Sequence, residues 1–281
     1  MKIVRKSLVA VQLCLLLTSM SACSDDETTP PVEEKKGLQT RVDANFGKVL
    51  TDAKGKTLYF FAKDSKGIAS CAGACLANWP VYHNTDPSSD LGLDKSLIGE
   101  ITREDGTKQS TYKGWPLYYY ANDAATNDVK GDAFLKIWYV AKPDYLLMVA
   151  NAQLIGADGK SYKDDYTEGQ ALTSYLTDGQ GRTLYSFAPD KFNTNTFTKA
   201  DFSNDAVWPI FQSNTGAIPS IVTKDQIAII TVYGKSQLTY KGWPLYYFGQ
   251  DSKRGDNKGV SFPKPGVWPI VNEKTTTAPK A

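Results

Sequence analysis

The sequence predicts an all-β protein made of two small tandem domains, and two observations carry this prediction. Segments rich in Tyr, Phe, Trp and β-branched residues alternate with turn residues, while helical periodicity is almost absent. The chain also repeats itself: residues 50–64 return as 176–190, and residues 111–123 return as 239–251, at offsets of 126 and 128 residues. The chain is therefore a tandem duplication.

A shorter motif, Tyr-x-aromatic-x-x-Asp, occurs twice in each copy. Its Tyr, aromatic and Asp positions are Tyr59, Phe61 and Asp64; Tyr118, Tyr120 and Asp123; Tyr185, Phe187 and Asp190; and Tyr246, Phe248 and Asp251. Residues 57–61 follow turn residues at 52–55, which predicts a hairpin. Asp64 falls just past that strand, where a carboxylate can accept backbone N–H groups and hold a turn.

Further strands are expected at residues 97–102, 137–140, 145–149 and 226–232. The predicted domains are residues 45–142 and 143–272, each with an aromatic core, followed by a disordered tail at 273–281. Since the four motifs are 59, 67 and 61 residues apart, a single four-bladed β-propeller is the alternative architecture.

The fourfold motif resembles a family of bacterial secreted-repeat lipoproteins whose function is unassigned. Two more features are similar to that family: Cys71-Ala72-Gly73-Ala74-Cys75 followed by Trp79-Pro80, and Gly-Trp-Pro-Leu-Tyr at residues 114–118 and 242–246. The resemblance covers roughly residues 46–140 and 170–271. It implies that one pair of half-repeats is a sufficient unit, which favours two domains over a propeller. The second copy departs from the pattern, because residues 193–207 contain no Cys.

The N-terminus has the pattern of a lipoprotein signal. Three cations within the first six residues precede an apolar run at residues 8–17, which is shorter than the about 20 residues needed to cross a bilayer. Met20-Ser21-Ala22-Cys23 resembles the lipobox of the bacterial lipoprotein signal peptidase. We therefore expect residues 1–22 to be removed as a signal peptide and Cys23 to carry the lipid.

Residues 23–44 are polar and Pro-containing, which predicts a flexible tether between the lipid and the folded part. Ser24-Asp25-Asp26-Glu27 resembles the surface-export signal of Bacteroidota lipoproteins, and a merely solvated linker is the alternative. Without residues 1–22 the chain keeps 29 Lys and Arg against 30 Asp and Glu. No basic field remains that would favour nucleic acid as a partner.

Cys71 and Cys75 are the only cysteines outside the signal and its lipidation site. In an exported protein they most simply form one small disulfide loop. With His83, the only His in the chain, they could instead form a metal or redox site, although a tight structural zinc site uses four ligands. The four motif aspartates raise calcium as another alternative to turn capping, but each stands among aromatic residues rather than other oxygen ligands.

Catalytic patterns are missing from the sequence: we find no nucleophile elbow, no phosphate-binding glycine loop and no His-rich metal motif. We therefore expect a non-enzymatic protein without a cofactor. The N-terminal signals predict that it is lipid-anchored in the outer membrane and exposed at the cell surface. It would act in binding, or as an accessory subunit of a complex with other outer-membrane or surface proteins. Alternatives are a metal- or redox-active envelope protein and a carbohydrate-binding protein that stacks sugars on Trp115, Trp138, Trp243 and Trp268.

Overall fold

The computed structural model describes residues 34–213 and 216–280. Its strands are β1 (Gln39–Asp43), β2 (Gly47–Thr51), β3 (Tyr59–Phe61), β4 (Ile98–Thr102), β5 (Lys108–Tyr112), β6 (Trp115–Pro116), β7 (Trp138–Val140), β8 (Leu147–Ile155), β9 (Ser161–Tyr162), β10 (Leu172–Asp178), β11 (Ile227–Val232), β12 (Lys235–Tyr240) and β13 (Trp243–Pro244). One short helix, α1 (Ala74–Asn78), follows β3. The 3-10 turns are Ala62–Asp64, Lys95–Leu97, Phe134–Lys136, Lys224–Gln226 and Lys258–Ser261.

The all-β prediction is confirmed, with the expected strands present as β4, β7, β8 and β11. The strands form five small antiparallel sheets, ordered β1-β2, β3-β7, β4-β5-β6, β10-β8-β9 and β11-β12-β13. Within residues 34–213 and 216–280 no sheet has more than three strands. The four-stranded blades of the alternative propeller are therefore not formed there.

The sheets β4-β5-β6 and β11-β12-β13 are the same structure built twice. β5 turns back into β6 through Lys113 and Gly114, at φ 50° and 73°, and β12 turns into β13 through Lys241 and Gly242, at φ 49° and 82°. Two consecutive positive φ angles are typical of the type I′ turn, whose twist matches that of the flanking strands. This turn places Trp115 opposite Tyr112 in the ladder, and Trp243 opposite Tyr240.

The hydrophobic core has four parts. One lies in each half of the duplication and is dominated by buried aromatic rings, and another is centred on Phe60, Trp115 and Met148. The fourth contains Ala62 and Tyr139 from the first copy together with residues of the second copy such as Leu184. The described residues from Lys35 onward accordingly form one compact unit, in which the two copies share part of their core.

Two expectations about the ends of the chain have different outcomes. The predicted signal peptide, the lipidation site Cys23 and the tether as far as residue 33 lie outside the described residues. The end of the expected tether at residue 44 is wrong, because Gln39–Asp43 form β1 and pair with β2. Residues 273–280, within the expected disordered tail of 273–281, instead have a defined path, because their backbone bonds to Phe192, Lys241 and Trp243. Among the described helices, none has the length and apolar character needed to cross a bilayer.

Candidate functional site

The repeated motif forms reciprocal hydrogen bonds between half-repeats. In the first copy the Tyr59 hydroxyl donates to Asp123 at 2.6 Å, and the Tyr118 hydroxyl donates to Asp64 at 2.7 Å. The Tyr of each motif therefore bonds to the Asp of the other motif, and not to its own. Tyr59 and Tyr118 also exchange backbone hydrogen bonds of 2.8 and 3.1 Å, which brings the two motifs side by side.

The second copy repeats this arrangement. Tyr185 donates to Asp251 at 2.6 Å and Tyr246 donates to Asp190 at 2.7 Å, and the same pair of backbone bonds, both 2.9 Å, joins the two tyrosines. The motif thus encodes a cross-brace that is built twice in this chain.

Each aspartate also holds the loop that follows it. Asp64 accepts the Ser70 backbone N–H at 2.7 Å and its hydroxyl at 2.6 Å, and Asp190 does the same with Thr196 at 2.7 and 2.8 Å. Asp123 accepts the backbone N–H of Lys130 at 2.9 Å. These carboxylates therefore combine the turn-holding role expected from the sequence with a bond to the partner motif.

Burial shifts the pKa values of the side chains in the cross-brace. It raises the pKa of Asp64 to about 6 against the opposing effect of its hydrogen bonds, and it raises the pKa of Asp251 to about 6 as well. Burial also raises the pKa of Asp190 and, far more strongly, the pKa of the Tyr118 hydroxyl. At neutral pH Asp64 and Asp251 are therefore ionised acceptors, and the Tyr118 and Tyr185 hydroxyls that bond to them are protonated donors. This combination gives strong charge-assisted bonds.

The third motif position closes a stack of four aromatic rings. In the first copy the order is Phe61, Trp138, Trp79 and Tyr120, with centroids 4.0, 3.7 and 4.4 Å apart. In the second copy the order is Phe187, Trp268, Trp208 and Phe248, with centroids 4.5, 3.7 and 4.4 Å apart. Each stacked pair adds about 0.5–1.5 kcal/mol beyond its area burial, so the motif aromatics are structural.

One glycine in each copy lets the chain pass close to this stack. A Cβ at Gly131 would lie 2.8 Å from a Trp79 ring carbon and 2.9 Å from Tyr59. A Cβ at Gly259 would meet Trp208 and Tyr185, both at 2.8 Å. Only glycine fits at these distances, and the Gly131 backbone N–H uses the space to donate to the Tyr59 hydroxyl at 3.3 Å.

The disulfide expected from the sequence is present between Cys71 and Cys75, with Cα atoms 5.4 Å apart. Cys71 is fully buried beside the first ring stack, and its carbonyl accepts a hydrogen bond from the buried Arg103 guanidinium. At the equivalent place in the second copy Phe197 packs edge-on to Trp268, with centroids 4.7 Å apart. An aromatic ring therefore fills the volume that the disulfide fills in the first copy.

His83 is engaged elsewhere: its Nε2 lies 2.9 Å from Glu100, at the protein surface. In the described part of the chain, no group of three or more His, Cys, Asp or Glu side chains is placed to hold a metal ion. While the disulfide is closed, Cys71 and Cys75 offer no thiolates to a metal.

The tryptophans proposed as an alternative sugar platform face inward. Trp115, Trp138 and Trp268 are at most 2% exposed, and Trp243 is partly covered by residues 272–280. The aromatic content thus serves the cores, as small β structures with few aliphatic residues require.

A groove of about 940 Å³ lies between the two copies. Its apolar wall includes Phe46 from the β1–β2 hairpin and Ile218, Val222 and Ile229 from the second copy. Ile229 is 48% exposed. Large apolar side chains left open in a concave surface are typical of binding sites.

Three lysines, Lys48, Lys142 and Lys224, are among the described residues that line this groove, together with Asp144. Asp132 and Asp43 also lie close enough to act on the charge of Lys142. Burial lowers the pKa of Lys142, whose Nζ lies 3.4 Å from the Ile218 carbonyl oxygen. The groove can therefore receive an apolar group that carries negative charge.

A family model described as a secreted repeat of unknown function matches residues 40–82, 99–142 and 228–272. Three segments of this chain thus match the secreted-repeat family. The three matched segments contain both half-repeats of the first copy and the latter half-repeat of the second. Tyr185 and Asp190 lie outside the matched segments, yet they complete the second cross-brace. The structure therefore shows that the segment containing them is the fourth half-repeat. Searches of curated proteins and of solved structures returned no significant match.

Several residues that support the repeat were missed by the sequence analysis. Gln109 and Gln237 are fully buried and donate across their hairpins to the carbonyls of Leu117 and Leu245, at 2.8 and 2.9 Å. They stand at the same offset of 128 residues as the motifs around them. The recurrence of a polar residue inside a repeated strand was the available signal.

Proposed function

We propose that this secreted-repeat protein is a non-enzymatic, lipid-anchored surface protein that binds an acidic, apolar segment of another envelope protein in the groove between its two copies. The observation that carries the proposal is the groove itself, with exposed Ile229 beside three lysines. The remaining distinctive residues, those of the motifs, are used to build the fold.

The cross-braces support a scaffold role and not a catalytic one. Asp64 and Asp190 are 0% exposed, and each is already bonded to a Tyr hydroxyl and to the loop after it. A carboxylate with its lone pairs engaged and no access to solvent is poorly suited to attack a substrate or to accept its proton. The pKa shifts of this region are explained by the fold.

The groove chemistry supports a partner that is apolar and acidic. Lys48 and Lys224 supply positive charge at the groove. Lys142 is already partly desolvated beside Phe46, with its Nζ 6.0 Å from the ring centroid. A partner carboxylate placed there would replace little water and meet a cation of lowered hydration, which favours a specific contact.

Anchoring to the outer membrane at the cell surface rests on Met20-Ser21-Ala22-Cys23 and the acidic residues after it. Labelling with palmitate is expected to modify the chain and to fail after Cys23→Ala. Protease treatment of intact cells is expected to digest the protein; protection in intact cells with digestion after lysis would contradict surface exposure.

Site-specific photo-crosslinking in cells tests the binding function. A photoreactive residue at Ile229 should yield a discrete adduct, and the matched position Leu91, which is 95% exposed outside the groove, should not. Charge reversal at Lys142 should reduce the Ile229 adduct. Equal adduct patterns at Ile229 and Leu91, or no adduct at Ile229, would contradict the proposed groove.

The other functions considered from the sequence have less support. A metal or redox role would use Cys71, Cys75 and His83, of which the first two are joined and the third pairs with Glu100. Sugar stacking would need accessible tryptophan faces, which the burial of Trp115, Trp138 and Trp268 withholds.

A further inference from the structure

The turn that precedes Trp115 in the first copy is a docking surface for the second copy. The Lys113 carbonyl accepts a hydrogen bond from the Arg254 guanidinium at 2.8 Å, and the Trp115 indole N–H donates to the Gly179 carbonyl at 3.2 Å. The guanidinium carbon of Arg254 also lies 4.3 Å from the centroid of the Trp115 ring. At this surface the first copy thus offers the second a carbonyl acceptor, an indole donor and an aromatic face.

A similar surface exists in the second copy, around Lys241 and Trp243, with the Phe192 ring against Gly242 where Arg254 lies against Gly114 in the first. Residues 272–280 cover this surface. The Lys241 carbonyl accepts the Ala278 backbone N–H at 2.9 Å, and the Trp243 indole N–H donates to the Thr276 carbonyl at 2.9 Å. The backbone of this nine-residue segment therefore makes the same two kinds of hydrogen bond that the second copy makes with the first. In both places the Lys carbonyl accepts a hydrogen bond and the Trp indole N–H donates one.

Further contacts fasten this segment. The Lys241 ammonium donates to the carbonyls of Glu273 and Thr275, both at 2.8 Å, and the Phe192 N–H donates to the Pro279 carbonyl at 2.8 Å. Ala278 is only 3% exposed. The segment is therefore seated on the surface.

The complementary surface is the 178–181 turn of the second copy, and the first copy has its counterpart at residues 52–55. In both turns an aspartate holds the backbone: Asp178 accepts the N–H groups of Gln180 and Arg182, both at 2.9 Å. Asp52 accepts those of Lys54 and Lys56, at 2.9 and 2.8 Å.

The two turns differ in sequence, because Ala53 and Lys54 stand where the second has Gly179 and Gln180. They also differ in the side chain that packs against their last glycine. Arg254 lies against Gly181, where an added Cβ would be 2.9 Å from its Cζ. Thr126 lies against Gly55 in the same way, with its methyl 3.1 Å from such a Cβ. The 52–55 turn therefore has the backbone for docking but lacks the arginine.

We infer that residues 272–280 are an intramolecular cap that occupies a repeat-docking surface, and that this surface, once uncovered, binds the 52–55 turn of a second copy of this chain. Each chain then offers one uncovered docking surface and one free turn, so association is head-to-tail and does not close at a dimer. With Thr126 in place of arginine the contact is weak, and the cap keeps the chain monomeric.

The test compares the purified chain with a variant that ends at Val271, by sedimentation velocity over a concentration series. The full chain is expected to stay monomeric, and the truncated variant to associate reversibly. Thr126→Arg in the truncated variant supplies the missing charged donor and should tighten association about tenfold. The same substitution in the full chain leaves it monomeric, because the cap is in place.

Two controls separate docking from non-specific aggregation. A synthetic peptide of residues 272–280 should dissociate the truncated variant, and the same peptide with Ala278→Pro, which lacks the N–H for Lys241, should not. Trp243→Ala in the truncated variant should abolish association. If the truncated variant does not fold, Ala278→Pro in the full chain loosens the cap and is measured in the same way.

A folded truncated variant that stays monomeric even with Thr126→Arg would overturn the inference. So would association that persists with Trp243→Ala, or that both peptides affect equally. In the full chain, an Ala278→Pro variant that stays monomeric with Thr126→Arg would overturn it as well.

Discussion

Two carboxyls, the buried Asp64 and the partly buried Asp251, should make this protein more stable at mildly acidic pH than at neutral pH. Burial raises the pKa of each from 3.8 to about 6, so between these values the folded protein holds protons that the unfolded chain releases. The free energy of unfolding falls with pH wherever the folded state binds more protons. This contribution to stability is therefore fully present below pH 3.8 and is lost as the pH rises through 6.

The size of the effect follows from the two pKa values. At pH 5 each carboxyl is mostly protonated in the folded state and mostly ionised in the unfolded state, which adds about 1.4 kcal/mol relative to pH 7.5. The two together add about 3 kcal/mol. Asp43 behaves in the opposite way, because, in spite of burial, hydrogen bonds that include one from Arg41 lower its pKa. It stabilises the folded protein while ionised and loses this stabilisation only below pH 3.8, outside the range from pH 5 to 7.5.

Urea unfolding at pH 7.5 and pH 5.0, at constant ionic strength, measures the difference. Asp64→Asn should remove about half of it, whereas Asp105→Asn, at an exposed turn, should leave it unchanged. Equal or lower stability of the unmodified protein at pH 5.0 would refute the reasoning, because folding would then not destabilise the ionised form of these carboxyls.

Three substitutions test other parts of the structure by urea unfolding. Gly131→Ala places a methyl 2.8 Å from the Trp79 ring and should lower the free energy of unfolding by about 1–3 kcal/mol; no loss would contradict the close packing. Replacing both Cys71 and Cys75 by Ser opens a short loop and should cost about 2 kcal/mol, and peptide mapping of the unmodified protein should find the pair linked. Arg254→Ala removes the donor to the Lys113 carbonyl and should lower the free energy of unfolding by about 1.5 kcal/mol. This is the low end for charged hydrogen bonds, because Nε and Nη2 have no partner. An unchanged stability would contradict the bridging role.

The local features of the fold could be predicted from the sequence. Alternating apolar residues and turn signals identified β4, β7, β8 and β11, because strand periodicity and turn chemistry are properties of neighbouring residues. The spacing of Cys71 and Cys75 indicated the disulfide for the same reason. An aspartate after a strand was expected to hold a turn, and Asp64 does so through Ser70.

The partners of the motifs could not be predicted, because they are distant in sequence. Tyr118 and Asp64 are 54 residues apart, and Tyr59 and Asp123 are 64 apart. A repeat shows that two segments have the same structure, but not that each completes the other. The crossed arrangement depends on how the half-repeats pack, which one sequence does not state.

The seating of residues 272–280 was missed for a related reason. Their composition is that of a linker, and they are held by their backbone at Thr276 and Ala278. Backbone groups are the same in every residue, so composition gives no sign of such contacts. The signal was the unpaired docking surface that a duplication leaves at one end, around Lys241 and Trp243.

The most direct test of the cross-brace is a pair of double-mutant cycles measured by urea unfolding. Tyr118→Phe with Asp64→Asn should show a coupling energy of about 1.5 kcal/mol, because the two side chains share a charged hydrogen bond. Tyr59→Phe with Asp64→Asn, within one motif, should be additive to within about 0.5 kcal/mol. Coupling that is larger within the motif than between motifs would contradict the structure described above.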